Sequence, residues 1–313
     1  MSCQTFRQLK KEDVAIAGGK GASLGEMINN GIPVPDGFVI LAATFEKFLR
    51  ETDINVEIDS QMDKVNVDDV NSIDNASRII NGLILEAMIP DNINKEINEY
   101  FSKLHTDYVA VRSSATAEDS ETASWAGELE SFLFVNKKNF VEAVKKCWAS
   151  LFTARAIHYR LGQGLKYKHV SVAVVVQKMV KSEVAGITFT VHPVTEDRNQ
   201  MIIEAIFGLG EAIVGGMVTP DSYVIDKKGM TIIDKNIGRQ KMKIIQSGSG
   251  TKQVRLTEKV GGKQKLTEKQ IIDVAKICRQ IEKQYKFPCD IEWAMDKGKF
   301  YIVQSRPITT LSK

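Results

Sequence analysis

The chain has 313 residues, with 42 Lys and Arg against 39 Asp and Glu, a formal charge of +3, 43% hydrophobic residues and 26% charged residues. That length suits one large or two moderate globular domains, and a charge so close to balance gives no reason to expect a nucleic-acid or membrane surface. Four scattered cysteines (Cys3, Cys147, Cys278, Cys289) form no C-x-x-C pair, and there is neither an apolar signal core nor a run approaching the roughly 20 apolar residues of a membrane span. A zinc site, a disulfide framework and a membrane anchor are thus not expected, and a reducing cytoplasm is.

In chain order, Gly18-Gly-Lys-Gly-Ala-Ser-Leu-Gly25 precedes an amphipathic pattern. It is not a Walker A loop, because Gly21 follows Lys20 where that motif requires the lysine next to Ser or Thr. It reads either as a turn before a helix or as backbone N–H groups and the Lys20 ammonium meeting phosphate oxygens at a helix N-terminus. The Pro- and Gly-rich stretch 31–37 excludes a helix, and Phe38–Leu41 is a short strand. Residues 51–75, polar and acidic, are expected to form a mobile connection before helices at 76–88 and 91–104.

Tyr108–Arg112 reads as a strand running into a Ser/Thr/Ala loop. Arg112 there can fork onto two phosphate oxygens or pair with Glu118 or Asp119. Ser124–Ser131 contains one glycine, Gly127, which serves either a ligand-covering loop or a plain hairpin turn. Glu130–Val135 is a strand, 137–161 one long amphipathic helix, and the valine-rich Val172–Gln177 a strand buried on both faces. Gln177 at its end faces a nucleotide base or satisfies neighbouring backbone. Strands follow at Ala185–Val191 and Met201–Ile206.

The glycines of Phe207–Gly216 lack the G-x-G-x-x-G spacing of a dinucleotide fingerprint, so this segment reads as a turn with close backbone packing. Residues 246–265 are Gly/Ser/Lys-rich and expected to be flexible, and a helix at 267–285 precedes a terminal hairpin. The four histidines, His105, His158, His169 and His192, show no ligand spacing, and none looks like a phosphate acceptor. The pattern is α+β in two lobes, 1–188 and 189–313.

The terminal hairpin carries the strongest signal. Asp290, Glu292 and Ala294 share one face of its first strand; Phe300, Ile302, Gln304 and Arg306 share one face of the second. A three-residue loop at 296–298 would pair Glu292 with Ile302 and set it diagonally beside Gln304, whereas a two-residue loop would separate them. A carboxylate, an amide oxygen and a guanidinium on one face can hold a divalent cation and grip a polyphosphate. Magnesium takes few protein oxygens and fills its shell with water and phosphate. The hairpin therefore points to ATP and Mg²⁺.

These segments together resemble the N-terminal ATP-binding domain of phosphoenolpyruvate synthase and pyruvate phosphate dikinase, shared with rifamycin phosphotransferases. The matching blocks are 18–26, 31–38, 109–119, 174–180, 208–212, 290–294 and 304–310, in family order. The resemblance implies an ATP-grasp fold in which two lobes clamp MgATP. It implies that Lys20, Arg112 and Arg306 act on the phosphates, that Gly127 and Ser131 belong to the loop over them, that Gln177 to Val180 meets the adenine, and that Glu292 and Gln304 hold Mg²⁺. Trp125 and Glu128 stand where the family usually has Phe and Gln, which puts that loop's fit in question.

The resemblance further implies a partner: a histidine on a separate domain or subunit attacks the β-phosphorus, releases AMP and, after γ-phosphoryl cleavage, passes its phosphoryl group to pyruvate. No Gly-Gly-x-x-x-His acceptor segment occurs in the 313 residues. The alternatives are the corresponding domain of a rifamycin-type phosphotransferase and a free-standing ATP-sensing module without turnover.

Overall fold

The computed structural model describes residues 1–116, 130–162, 171–309 and 311. It is α+β, as expected, and divides into two compact units. The first comprises Met1–Glu26 and Asp36–Met179, the second Met27–Pro35 and Val180–Lys313. A boundary at 188 would cut through a strand of the second unit's sheet; the division falls instead at Met179.

The first unit holds a five-stranded sheet built from β1 (Cys3–Thr5), β2 (Gly37–Ile40), β3 (Val109–Ala115), β4 (Ser131–Val135) and β5 (Val172–Lys178), in the order β1-β2-β5-β3-β4. Its helices are α1 (Val14–Asn29, whose last residues pass into the second unit), α2 (Ala42–Glu51), α3 (Asn55–Asp63), α4 (Val70–Glu86), α5 (Asp91–Lys103), α6 (Phe140–Ala149) and α7 (Ala154–Gly162). Alternation sorts the strand residues. Phe38, Ile40, Val109, Val111, Val174 and Val176 face a helix-packed core. In that core Trp148 stacks on Phe45 and Phe48 with ring centres 5.6 and 4.9 Å apart. The opposite face carries Val39, Ala110, Arg112, Ser114, Val175 and Gln177.

Two helical expectations need correction. The polar segment 51–75 is largely helical, because three of its apolar residues, Ile58, Val65 and Ile73, are spaced to reach the core. Asp69 caps α4, accepting from the Asn71 N–H at 3.0 Å. The single helix expected over 137–161 breaks at a 3₁₀ turn, Ser150–Phe152. The Ser150 hydroxyl donates to the Cys147 carbonyl at 2.7 Å, and the Thr153 hydroxyl accepts from the Ala156 N–H at 3.2 Å, ending one helix and capping the next.

The second unit holds a six-stranded sheet in the order β13-β12-β6-β7-β8-β9. Its strands are β6 (Val184–Phe189), β7 (Gln200–Phe207), β8 (Asp221–Asp226), β9 (Thr231–Asn236), β12 (Cys289–Asp296) and β13 (Lys299–Pro307). Helix α10 (Glu268–Tyr285) begins with a Thr267/Gln270 capping box and buries Ile271, Val274, Cys278 and Ile281. It contacts β12 on the face carrying Trp293, whose indole N–H donates to the Thr188 hydroxyl at 3.0 Å.

The remaining pieces are α8 (Glu211–Val214), the hairpin of β10 (Met242–Gln246) and β11 (Thr251–Arg255), and α9 (Glu258–Gly261). The stretch 246–265, expected to be flexible, is instead held by a fully buried ion pair. Lys265 Nζ donates to Asp221 Oδ1 at 2.7 Å, with both side chains completely shielded from solvent. Lys265 also donates to the Gly238 and Gly261 carbonyls at 2.6 and 3.2 Å. Asp221 also accepts from the Gly238 and Lys265 N–H groups and the Tyr223 hydroxyl. Burial and that carboxylate push the Tyr223 hydroxyl's pKa well up.

Candidate functional site

The first unit gathers one set of sequence-predicted groups on the outer face of its sheet. Gly18, at φ 69°, interrupts α1, so Lys20 lies in the first turn of a fresh helical segment. A side chain at Gly18 would collide with Ser114, whose Oγ lies 2.1 Å from the position of a Cβ. The Gly21 N–H donates to that same hydroxyl at 3.5 Å. The turn bearing Lys20 is thereby seated on β3 two residues beyond Arg112. Only a residue without a Cβ, tolerant of positive φ, permits this approach.

Arg112 pairs with Ser131 of β4 on one side and Val175 of β5 on the other. The fields of Lys20 and Arg112 both reach the buried Cys147, whose thiol burial pushes strongly up. Gln177 pairs with Ala110 and Gly37, which places it diagonally, about 7–8 Å along the sheet, from Arg112. It is buried at 2% exposure, yet its Nε2 has no hydrogen-bond partner. An orphaned amide donor costs about 1–3 kcal/mol, which a ligand acceptor would offset. Val180 opens the second unit, its carbonyl accepting from the Ser182 N–H at 2.9 Å. Gly127, Trp125 and Glu128 lie outside the described residues.

The second unit gathers another set on the hairpin. Its turn is the two-residue Lys297-Gly298, both left-handed, with Asp296 opposite Lys299. That corrects the expected three-residue loop and, by itself, would put Glu292 and Gln304 on opposite faces. A bulge at Glu292/Trp293 restores them: Trp293 pairs with Ile302, whereas Glu292 pairs directly with Gln304 and Asp290 with Arg306. Val303 is the extra residue. Consequently Phe300 and Ile302 join Met295 and Trp293 on the α10 face, while Gln304 and Arg306 turn to the other. The four do not share one face.

Arg306 grips Asp290 through Nε at 2.8 Å and Nη2 at 2.7 Å, both on Oδ2. Asp290 is 8% exposed, and its Oδ1 has no partner. Continuing across the sheet, Glu292 pairs with Ile187 and Ile187 with Glu204 of β7. Burial, and then the Asp290 carboxylate, push the Glu204 carboxyl above its ordinary value.

Within the first unit, Lys20 and Arg112 are cations near one sheet face, and Gln177 offers an unpartnered donor, a set suited to an anionic ligand. Within the second unit, Glu292 and Gln304 stand directly opposite each other, an acid and an amide suited to a hard cation. No set of three or more His, Cys, Asp or Glu converges to ligating distance among the described residues. That excludes an all-carboxylate cage among those residues.

Residues 14–313 match the pyruvate phosphate dikinase AMP/ATP-binding domain family. The chain belongs to that family. A probable phosphoenolpyruvate synthase of Archaeoglobus fulgidus is 47% identical over 309 residues, covering 97% of this chain and 41% of that protein. One from Methanocaldococcus jannaschii is 45% identical over 314 residues, covering 98% and 26%. The rifampicin phosphotransferase of Bacillus cereus is 39% identical over 310 residues, covering 98% and 36%. The chain thus spans between a quarter and a half of the length of these relatives. No described helix is long and apolar enough to cross a membrane.

For this dikinase-family domain, reading the sequence alone gave Asp290 no role beyond its strand face and passed over Glu204. The available signal for Glu204 was a lone carboxylate inside Met201–Ile206, whose partner across two strands only the register reveals. Lys20→Ala and Arg112→Ala are expected to weaken ATP far more than adenosine, each by about 1.5–3 kcal/mol. Parallel calorimetric titrations of both ligands measure this, and equal losses for the two would make the residues structural.

Proposed function

We propose that the chain is the MgATP-binding, phosphoryl-donating part of a phosphoenolpyruvate synthase-like phosphotransferase with an ATP-grasp fold. The observation that carries this reading is the direct Glu292–Gln304 pair next to the Arg306–Asp290 pair on one sheet face. In this reading Lys20 and Arg112 bind the phosphates, and Ser131, opposite Arg112 on β4, and Gly127 contribute further contacts to them. Gln177 and the segment to Val180 receive the base. Glu292 and Gln304 hold Mg²⁺, which neutralises charge on the transferring group. Arg306, oriented by Asp290, stabilises charge in the transition state. Phosphoryl transfer asks the protein mainly for positioning and electrostatics, which this set supplies.

The acceptor is a histidine on another domain or subunit, which passes the phosphoryl group to pyruvate. The match to a rifampicin phosphotransferase supports a second reading, in which the final acceptor is an antibiotic of that kind.

The 313-residue chain is expected to bind MgATP but to form AMP only at background rate, with pyruvate or rifampicin present. Adding a separately produced phosphohistidine domain of a relative is expected to release AMP. Transfer from that domain to pyruvate or to rifampicin then separates the two readings. Rapid AMP formation by these residues alone would place the acceptor within them. Binding without turnover, even with the added domain, would favour an ATP-sensing module.

A further inference from the structure

The second unit's sheet carries more acid on its ligand face than the Glu292–Gln304 pair uses. In register, one row runs Gln304–Glu292–Ile187–Glu204–Ser222 across β13, β12, β6, β7 and β8. Directly opposed residues point to the same side of a sheet, so Glu204 and Glu292 flank Ile187 with backbones about 10 Å apart. Asp290, one alternation along β12, joins them, and its field reaches Glu204. Three carboxylates therefore share a face with one guanidinium, that of Arg306.

Arg306 occupies only one oxygen of Asp290. The other, Oδ1, is buried without a partner in a residue more than nine-tenths shielded. Among the described residues the Glu204 carboxylate likewise has no hydrogen bond or ion pair. A partly buried carboxylate without a partner, such as that of Glu204, is costly. A polar group left unpaired in this way, on the face proposed for a cation, is the mark of a missing ligand.

We infer that Glu204 is a positioning residue for the divalent cation, accepting hydrogen bonds from metal-bound water across Ile187 from Glu292. The inference rests on the proposed cation role of Glu292 and Gln304 and extends it to a third strand. Direct ligation is not required: magnesium and manganese keep several waters in protein sites, and those waters need acceptors. Ile187 between the two acids supplies a dry floor that fixes their spacing, and Asp290 Oδ1 provides a second acceptor from the neighbouring row.

The test uses the full chain with Mn²⁺ as probe, titrated by electron paramagnetic resonance in the presence of ATP, alongside ATP binding in EDTA. Glu204→Gln, which keeps shape and removes charge, is expected to weaken Mn²⁺ about tenfold, as loss of outer-shell partners does. Metal-free ATP binding is expected to stay unchanged. Glu204→Asp keeps the charge and is expected to recover most of the affinity, which a purely packing role would not produce. Wild-type Mn²⁺ affinity in Glu204→Gln, with affinity lost in Glu292→Gln, would overturn this inference and leave the Glu292 reading standing. Wild-type affinity in both variants would overturn the cation site itself.

Discussion

Glu292→Ala is expected to abolish the Mg²⁺-dependent tightening of ATP binding, a loss exceeding about 100-fold, the upper end of what outer-shell partners alone cost. The side chain sits opposite Gln304, and the pair supplies the adjacent protein oxygens proposed for the ion. Truncation leaves Gln304 alone, a neutral amide without the charge that makes a carboxylate a good hard-cation ligand. Calorimetry with ATP, with and without Mg²⁺, measures the effect directly. A variant whose ATP affinity still rises with Mg²⁺ as in the wild type would remove Glu292 from the cation's shell.

Lys265→Met is expected to be the most destabilising single change in the second unit. It leaves Asp221 charged, sealed from solvent and deprived of its cation. Breaking a buried pair in this way costs about 3–5 kcal/mol. The loss should appear as a lower urea midpoint and as faster amide exchange concentrated in 237–266, the segment the network ties to β8. The double variant Asp221→Leu/Lys265→Met should recover part of the loss, since no unpaired charge remains. A shift below about 1 kcal/mol in Lys265→Met, the scale of an exposed pair, would show that the network does not hold the segment.

The same lysine shows why part of the fold was hidden in the sequence. Glycine, serine and lysine between 246 and 265 read as a solvated loop, and nothing local marks Lys265 as the one ammonium taken inside. Its partner Asp221 lies 44 positions away. Long-range pairing of this kind leaves no periodicity to read. By contrast, the valines of β5 and the apolar stripe of α10 are local patterns, and both elements form where the pattern puts them. The helix expected over 137–161 fails for a local reason that can be read afterwards: Ser150 and Thr153 offer the backbone alternative hydrogen bonds.

The candidate site was legible as chemistry and less so as geometry. Glu292 and Gln304 do lie on one face, although the turn is one residue shorter than expected, because the bulge shifts the register by one more residue in the same direction. The two unforeseen shifts add to two, which keeps the face and changes a diagonal neighbour into a direct one. Glu204 shows the limit of that approach, since its place in the row depends on β6 pairing with both β7 and β12.

The bulge at Glu292/Trp293 has a consequence for how this hairpin tolerates change in length as opposed to identity. Between the turn and the bulge, many apolar substitutions would leave the relative position of Glu292 and Gln304 untouched. Deleting Val303 would too: Gln304 would follow Ile302 directly and still stand opposite Glu292, with Arg306 opposite Asp290. What would separate the pair is a straightened ladder that keeps Val303. Val303 would then stand opposite Glu292, and the amide and the guanidinium beyond it would turn onto the helix-packed side. The bulge thus takes up one surplus residue of β13, and a homologous hairpin that lacks this residue should also lack the bulge while presenting the same face.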